Sequence, residues 1–137
     1  MASSADNIVA KGLYGTVEYA VRKDGKKPAQ QGLEKLKKKK QHKSKYFAFI
    51  ALFEQYVNTG SLSEIYLDGL KHNKISGILK FKRSDAYPYR VPCFKMSNSY
   101  ILTHVYEKRE GDGRQIKREV ELADTIRSEH KEQLKKS

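Results

Sequence analysis

The chain has one cysteine and no tryptophan, and three prolines and two methionines stand among its 137 residues. A lone Cys93 excludes an internal disulfide and makes a reducing compartment the expectation. It lies in an apolar alternation, so it reads as a small core residue rather than a nucleophile. Long apolar runs are missing as well. Tyr46 to Val57 is the most apolar stretch, too short to span a bilayer and interrupted by Glu54 and Gln55. Met1 to Lys11 lacks the basic-then-apolar order of a secretion signal. These absences predict a soluble, cytoplasmic protein. The four histidines, at 42, 72, 104 and 130, stand at no metal-ligand spacing with one another or with Cys93. Gly111-Asp112-Gly113 is followed by no Lys-Ser/Thr pair, so it reads as a turn and not as a phosphate loop. The expectation is therefore a chain with no metal and no cofactor. Repeats are absent too.

Acidic residues are the minority charge. Twenty-eight Lys and Arg face sixteen Asp and Glu, a formal net charge of +12. Such an excess repels itself but attracts polyanions at long range, so nucleic acid or an acidic protein is the natural partner. A chain of this length holds one modest core. It is too small for two lobes with a cleft between them, which places the expected active site on an open surface.

Residues 1–12 read as a flexible tail and 13–137 as a single domain. Thr16 to Arg22 alternates, with Val17, Tyr19 and Val21 on one side, and reads as a half-buried strand. Pro28 opens a helix carrying Ala29, Leu33 and Leu36, which runs into the lysines 37–40. A second helix spans about 44–58, with Tyr46, Phe49, Ile50, Phe53 and Val57 as its stripe and Gly60 as its stop. Three alternating runs follow: Ile78 to Arg83, Tyr89 to Met96, and Tyr100 to Lys108. Ser84-Asp85, Pro88 and Ser97-Asn98-Ser99 separate them. Pro92 is a blemish in the second run, because proline donates nothing to a ladder, and it calls for a bulge or an edge position. A last helix, about 115–134, carries Ile116, Val120, Ala123, Ile126 and Leu134. The fold class predicted is α+β: a strand, two helices, a three-stranded antiparallel meander and a C-terminal helix, with the helices packed on one sheet face.

Two-residue periodicity then collects Lys80, Lys82, Arg90, His104, Tyr106 and Lys108 on the other, open face. Cutting RNA without a metal needs a base for the ribose 2′-hydroxyl, cations for the phosphorane and an acid for the leaving oxygen. Histidine titrates near working pH, arginine clamps phosphate oxygens, and lysines stabilise anions. That face holds all three types. The same alternation also keeps an exposed sheet soluble, so the pattern alone is compatible with a nucleic-acid surface that does no chemistry.

Three segments carry a family likeness: Ile75-Ser76-Gly77-Ile78-Leu79-Lys80-Phe81-Lys82, Tyr89-Arg90-Val91, and His104-Val105-Tyr106-Glu107-Lys108-Arg109. With them the chain resembles the RelE/HigB toxins of type II toxin–antitoxin systems, phage-borne relatives included. Those toxins tend to carry Gly-x-x-Glu-Leu-Arg-like, Tyr-Arg-x and His-x-Phe-x-Lys-Lys strands. A helix with a Glu-x-x-x-Ala-x-x-x-Arg run follows them, matched here by Glu119, Ala123 and Arg127. Asn58-Thr59-Gly60-Ser61-Leu62 also fits, and the likeness covers roughly residues 14 to 133.

The resemblance implies a RelE-like fold and a metal-independent endoribonuclease that cuts mRNA on the ribosome and so inhibits translation. Arg90, His104, Tyr106 and Lys108 would be catalytic. Lys80, Lys82, Arg83 and Arg109 would bind RNA; Lys37, Lys38, Lys39 and Lys40 read, from the lysine run itself, as a solvated helix end that also touches phosphates. A cognate antitoxin with a helix-turn-helix DNA-binding part would neutralise the toxin. The sequence departs from the pattern at Lys80 and Lys82, which replace Glu and Arg, at Tyr106, which replaces the more frequent Phe, and at Gly111-Asp112-Gly113, which replaces a Thr/Pro-containing turn. Two other readings stay open: a ParE-like inhibitor of DNA gyrase, against which Arg90 and His104 argue, and a non-catalytic RNA- or ribosome-binding module.

Overall fold

The computed structural model describes residues 5–62, 67–69, 78–82, 88–109, 111 and 113–136. Pairing begins earlier than the sequence suggested. After a 3-10 turn at Ala5–Asn7, β1 (Ile8–Gly12) forms an antiparallel hairpin with β2 (Gly15–Tyr19). The second half of the expected tail is thus an edge strand. Ile8 and Val9 are β-branched, as suits a strand, and Ala10 is buried in the core; the run is simply too short to register as a periodic signal.

Helix α1 (Pro28–Lys38) starts on proline, whose fixed φ and missing N–H cost nothing at a first position, and buries Ala29, Leu33 and Leu36. Helix α2 (Lys43–Thr59) buries Phe49, Leu52, Phe53, Tyr56 and Val57. Gly60 ends it in the left-handed region (φ 77°), where its N–H donates to the Tyr56 carbonyl at 2.7 Å. Next come β3 (Leu67–Gly69), β4 (Leu79–Phe81), β5 (Tyr89–Met96), β6 (Ser99–Leu102), β7 (Tyr106–Glu107) and α3 (Gln115–Lys135).

Among the described residues the seven strands form one mixed sheet in the order β1-β2-β6-β5-β4-β3, with β7 beside the start of β5. Of these described strands, only β2 and β6 run parallel. The class is α+β, with the expected C-terminal helix.

The helices do not share one face. Val17, Val91, Cys93, Tyr100 and Leu102 pack with α1 and α2, whereas Phe94, Ile101 and Ile78 pack with Val120, Ala123 and Ile126 of α3. α3 therefore covers the face expected to lie open. Apolar residues of both parities, Cys93 with Phe94 and Ile101 with Leu102, need cover on both sides. Two contacts fasten α3 to the end of β2. His130 Nδ1 accepts the Val21 N–H (3.0 Å), and the Glu129 carboxylate accepts from Arg22 Nε, Arg22 Nη2 and the Lys23 N–H. The Arg22 bonds hold the Glu129 carboxyl down at about 2, and burial lowers the His130 ring from its ordinary value.

The run expected as one strand from Tyr100 to Lys108 is broken. Cys93 pairs with Leu102, but Arg90 pairs with Tyr106. Three residues, 103–105, therefore stand opposite two, Val91 and Pro92. The cause is Pro92. Thr103 N–H donates to its carbonyl (2.9 Å), but Pro92 has no N–H to return on that side. The extra residue flips the alternation, so Leu102 faces α1 and α2 while Tyr106 shares Arg90's face.

Val105 then packs onto α1 at Gly32, where a Cβ would lie 2.7 Å from the Val105 Cβ. Glycine inside a helix costs about 1 kcal/mol relative to alanine, but here it permits the close approach. Gly32→Ala should therefore destabilise the protein by about 1–3 kcal/mol, opposite in sign to helix propensity. Urea unfolding of the two proteins decides it, and a more stable alanine variant would refute the close packing.

Candidate functional site

The bulge at 103–105 builds the site. Thr103 is fully buried, and its hydroxyl lies 3.0 Å from both the Pro92 carbonyl and His104 Nδ1. The other ring nitrogen of His104, Nε2, meets Glu119 Oε1 of α3 at 2.9 Å. Both nitrogens are thus engaged within the protein. The ring stacks on Tyr106, with centroids 5.9 Å apart and planes at 29°. His104 is only 6% exposed and Arg90 1%. The open-face expectation is corrected for both: His104 meets Glu119 of α3, and Arg90 is buried in register with Tyr106.

Arg90 donates from Nη1 to its neighbour's carbonyl, Tyr89 O (3.0 Å). Its cation pulls the Tyr106 phenol down. Burial outweighs that pull, with Glu119 adding to it, and Tyr106 is pushed up to about 12. Tyr106 therefore keeps its proton at neutral pH and can donate it, but it is not a base. Lys108 and Arg109 are exposed where β7 ends. Gln115 pins that end to α3, with Oε1 accepting the Arg109 N–H and Nε2 donating to the Glu107 carbonyl, both at 2.8 Å.

Lys80 and Lys82 are half-buried, and Lys80 stands in register with Pro92 on the α3 side. Arg83 and the Ser84-Asp85 turn lie outside the described residues. Lys37, Lys38, Lys39 and Lys40 are exposed at the end of α1, with Lys37 Nζ 5.5 Å above the Tyr46 ring. Two basic groups stand apart, as the sequence has them. Lys80, Lys82 and Arg90 lie on the α3 side of the sheet, and the lysine run lies at the elbow between α1 and α2.

What joins the elbow to β7 is a cleft of about 420 Å³. Lys35, Lys39, His42 and Tyr89 line it together with His104 and Tyr106. Glu107 is a carboxylate of the same cleft, and Leu122 of α3 closes part of it. A fold of this size was not expected to hold such a recess. Periodicity gave no sign of Lys35, His42 or Tyr89 as site residues, because the cleft forms where two helix ends meet a broken strand. Glu119 and Gln115 were missed as partners for a related reason: each reaches the site from the far end of the turn before α3.

Cys93 is buried, and desolvation drives its thiol well up, so it stays protonated. Among the described residues no group of three or more His, Cys, Asp or Glu is arranged to hold a metal, and no helix is long and apolar enough to cross a membrane. No protein-family model matches the chain, and no match was found among the curated proteins.

Proposed function

We propose that the chain is a metal-independent endoribonuclease of the RelE/HigB kind, the toxin of a toxin–antitoxin pair, cutting mRNA held on the ribosome. The observation that carries this reading is the cleft, with lysines and His42 on one wall and His104 and the protonated Tyr106 on the other. In such a cleavage the 2′-oxygen bonds to phosphorus and the bond to the 5′-oxygen breaks. The 2′ proton goes to a base, and the 5′-oxygen takes one from an acid. The Tyr106 hydroxyl suits the acid, and the cations suit the charge on the phosphorane. A ribosome would supply the positioning that a shallow basic cleft lacks. With a net charge of +12, the neutralising partner is an acidic segment of an antitoxin, laid over the same lysines.

A second reading has its own support. The inward-turned nitrogens of His104 and the burial of Arg90 fit a module that binds RNA or the ribosome without cutting. Induced expression in bacteria separates the two. The nuclease predicts growth arrest and new transcript 5′ ends, reproduced on programmed ribosomes in single turnover. Steeply salt-dependent RNA binding with no new ends would leave the binding module, and a DNA-damage response without RNA cleavage would overturn both.

A further inference from the structure

Two histidines line the cleft, and they are not equivalent. His42 sits on the turn between α1 and α2, held on both sides by backbone: its N–H donates to Lys39 O (2.9 Å), and its carbonyl accepts from Lys45 N–H (3.0 Å). The ring meets the edge of Tyr89, with centroids 5.6 Å apart at 73°. Lys45 Nζ lies 3.4 Å from His42 Nδ1 and 5.5 Å from the centre of the Tyr89 ring. An ammonium only donates, so Nδ1 is the acceptor, and the neutral ring carries its proton on Nε2. Among the described residues that N–H has no acceptor. His104 differs, since Thr103 and Glu119 occupy both of its nitrogens.

Lys35 and Lys39 share this wall of the cleft. Both are exposed, and neither forms an ion pair among the described residues. No acidic residue stands in the first turn of α2, and no side chain caps it, so the protein itself does little to balance these cations. Glu107 is the cleft's own carboxylate and leaves the positive charge in excess. An anion with several acceptor oxygens completes such a wall: one oxygen for the His42 N–H and others for the two ammoniums.

We propose that His42, Lys35 and Lys39 form a subsite for a backbone phosphodiester of single-stranded RNA, and that His42, not His104, is the imidazole that touches the ligand. The choice of RNA rests on the function proposed above. The choice of His42 rests on the hydrogen bonds alone.

The test follows the histidine ring signals of the full-length protein by NMR, titrated with a short 2′-O-methyl RNA that cannot be cut and, separately, with inorganic phosphate. The His42 signals should shift saturably with the RNA while those of His104 stay nearly still. Inorganic phosphate should move His42 in the same direction at far higher concentration. His42→Ala should weaken RNA binding about tenfold with only a small drop in the thermal midpoint, since the ring is half-exposed. His42→Gln, which keeps an N–H donor, should recover part of the loss. The paired variant Lys35→Ala/Lys39→Ala should lower the salt slope of binding by about 1 to 2.

If the RNA binds and shifts His104 but not His42, or shifts neither, the subsite is wrong while the RNA reading survives. If no RNA binds at any salt concentration, the function proposed above fails and takes the subsite with it.

Discussion

Replacing His104 with alanine should lower the unfolding free energy by about 2–4 kcal/mol, a large part of a small domain's stability. The sequence suggested the reverse, because an exposed strand histidine is removed at little cost. Here the ring is 6% exposed, lies against Tyr106 and ties Thr103 to Glu119 across two elements. Alanine leaves a cavity over Tyr106 and strips the partly buried Glu119 carboxylate of its imidazole. Thr103 keeps the Pro92 carbonyl, so the loss falls mainly on the Glu119 side. Glu119→Gln, which keeps the shape and a hydrogen-bonding group, should cost less. The double variant should cost less than the sum, because both substitutions act on the same contact. Urea unfolding of the four proteins gives the cycle. A loss below about 0.5 kcal/mol for His104→Ala would show that the ring is not held by α3. The result also bears on function: an inactive His104→Ala protein means nothing for chemistry until its folded fraction is known.

The periodicities of the sequence were enough for the helices. Ala29, Leu33 and Leu36, then Phe49, Phe53 and Val57, then Val120, Ala123 and Ile126 are buried as their spacing requires. Proline at the start of α1 and glycine after α2 mark ends that the structure keeps. Strand alternation was legible in pieces and failed at one residue. Pro92 was recognised as incompatible with an unbroken ladder, but a missing N–H does not say how the partner strand responds. The response was an extra residue at 103–105, and one residue reverses every assignment beyond it.

Which face α3 covers is a matter of chain path, and local pattern is silent on it. The one clue was apolar residues of both parities, Phe94 beside Cys93 and Ile101 beside Leu102. The candidate site suffered for the same reason. His104, Tyr106 and Arg90 do come together, but through the Arg90–Tyr106 register and the contact of His104 with Glu119 of α3. His42 and Lys35 arrive from a helix elbow that no strand pattern could connect to them.

Arg90→Ala should be the most damaging single truncation near the site, at about 3–5 kcal/mol, and Arg90→Met should cost at least about 2 kcal/mol less. The guanidinium stands on a residue 1% exposed, near the start of β5 and in register with Tyr106. Truncating so large a side chain leaves a void that close-packed neighbours only partly fill. Methionine fills most of that space. It also removes the cost of keeping a cation out of water, leaving the bond to Tyr89 O as one of the losses. The charge has a separate signature. Arg90 lowers the Tyr106 phenol against the rise due to burial, so Arg90→Met should move Tyr106 ionisation above its value of about 12. Ultraviolet titration reads that shift, and denaturant unfolding reads the two costs. Equal losses for alanine and methionine would mean that charge rather than volume holds Arg90 in place. A loss under about 1 kcal/mol for alanine would place the side chain in solvent and restore the phosphate clamp that the sequence pattern first suggested.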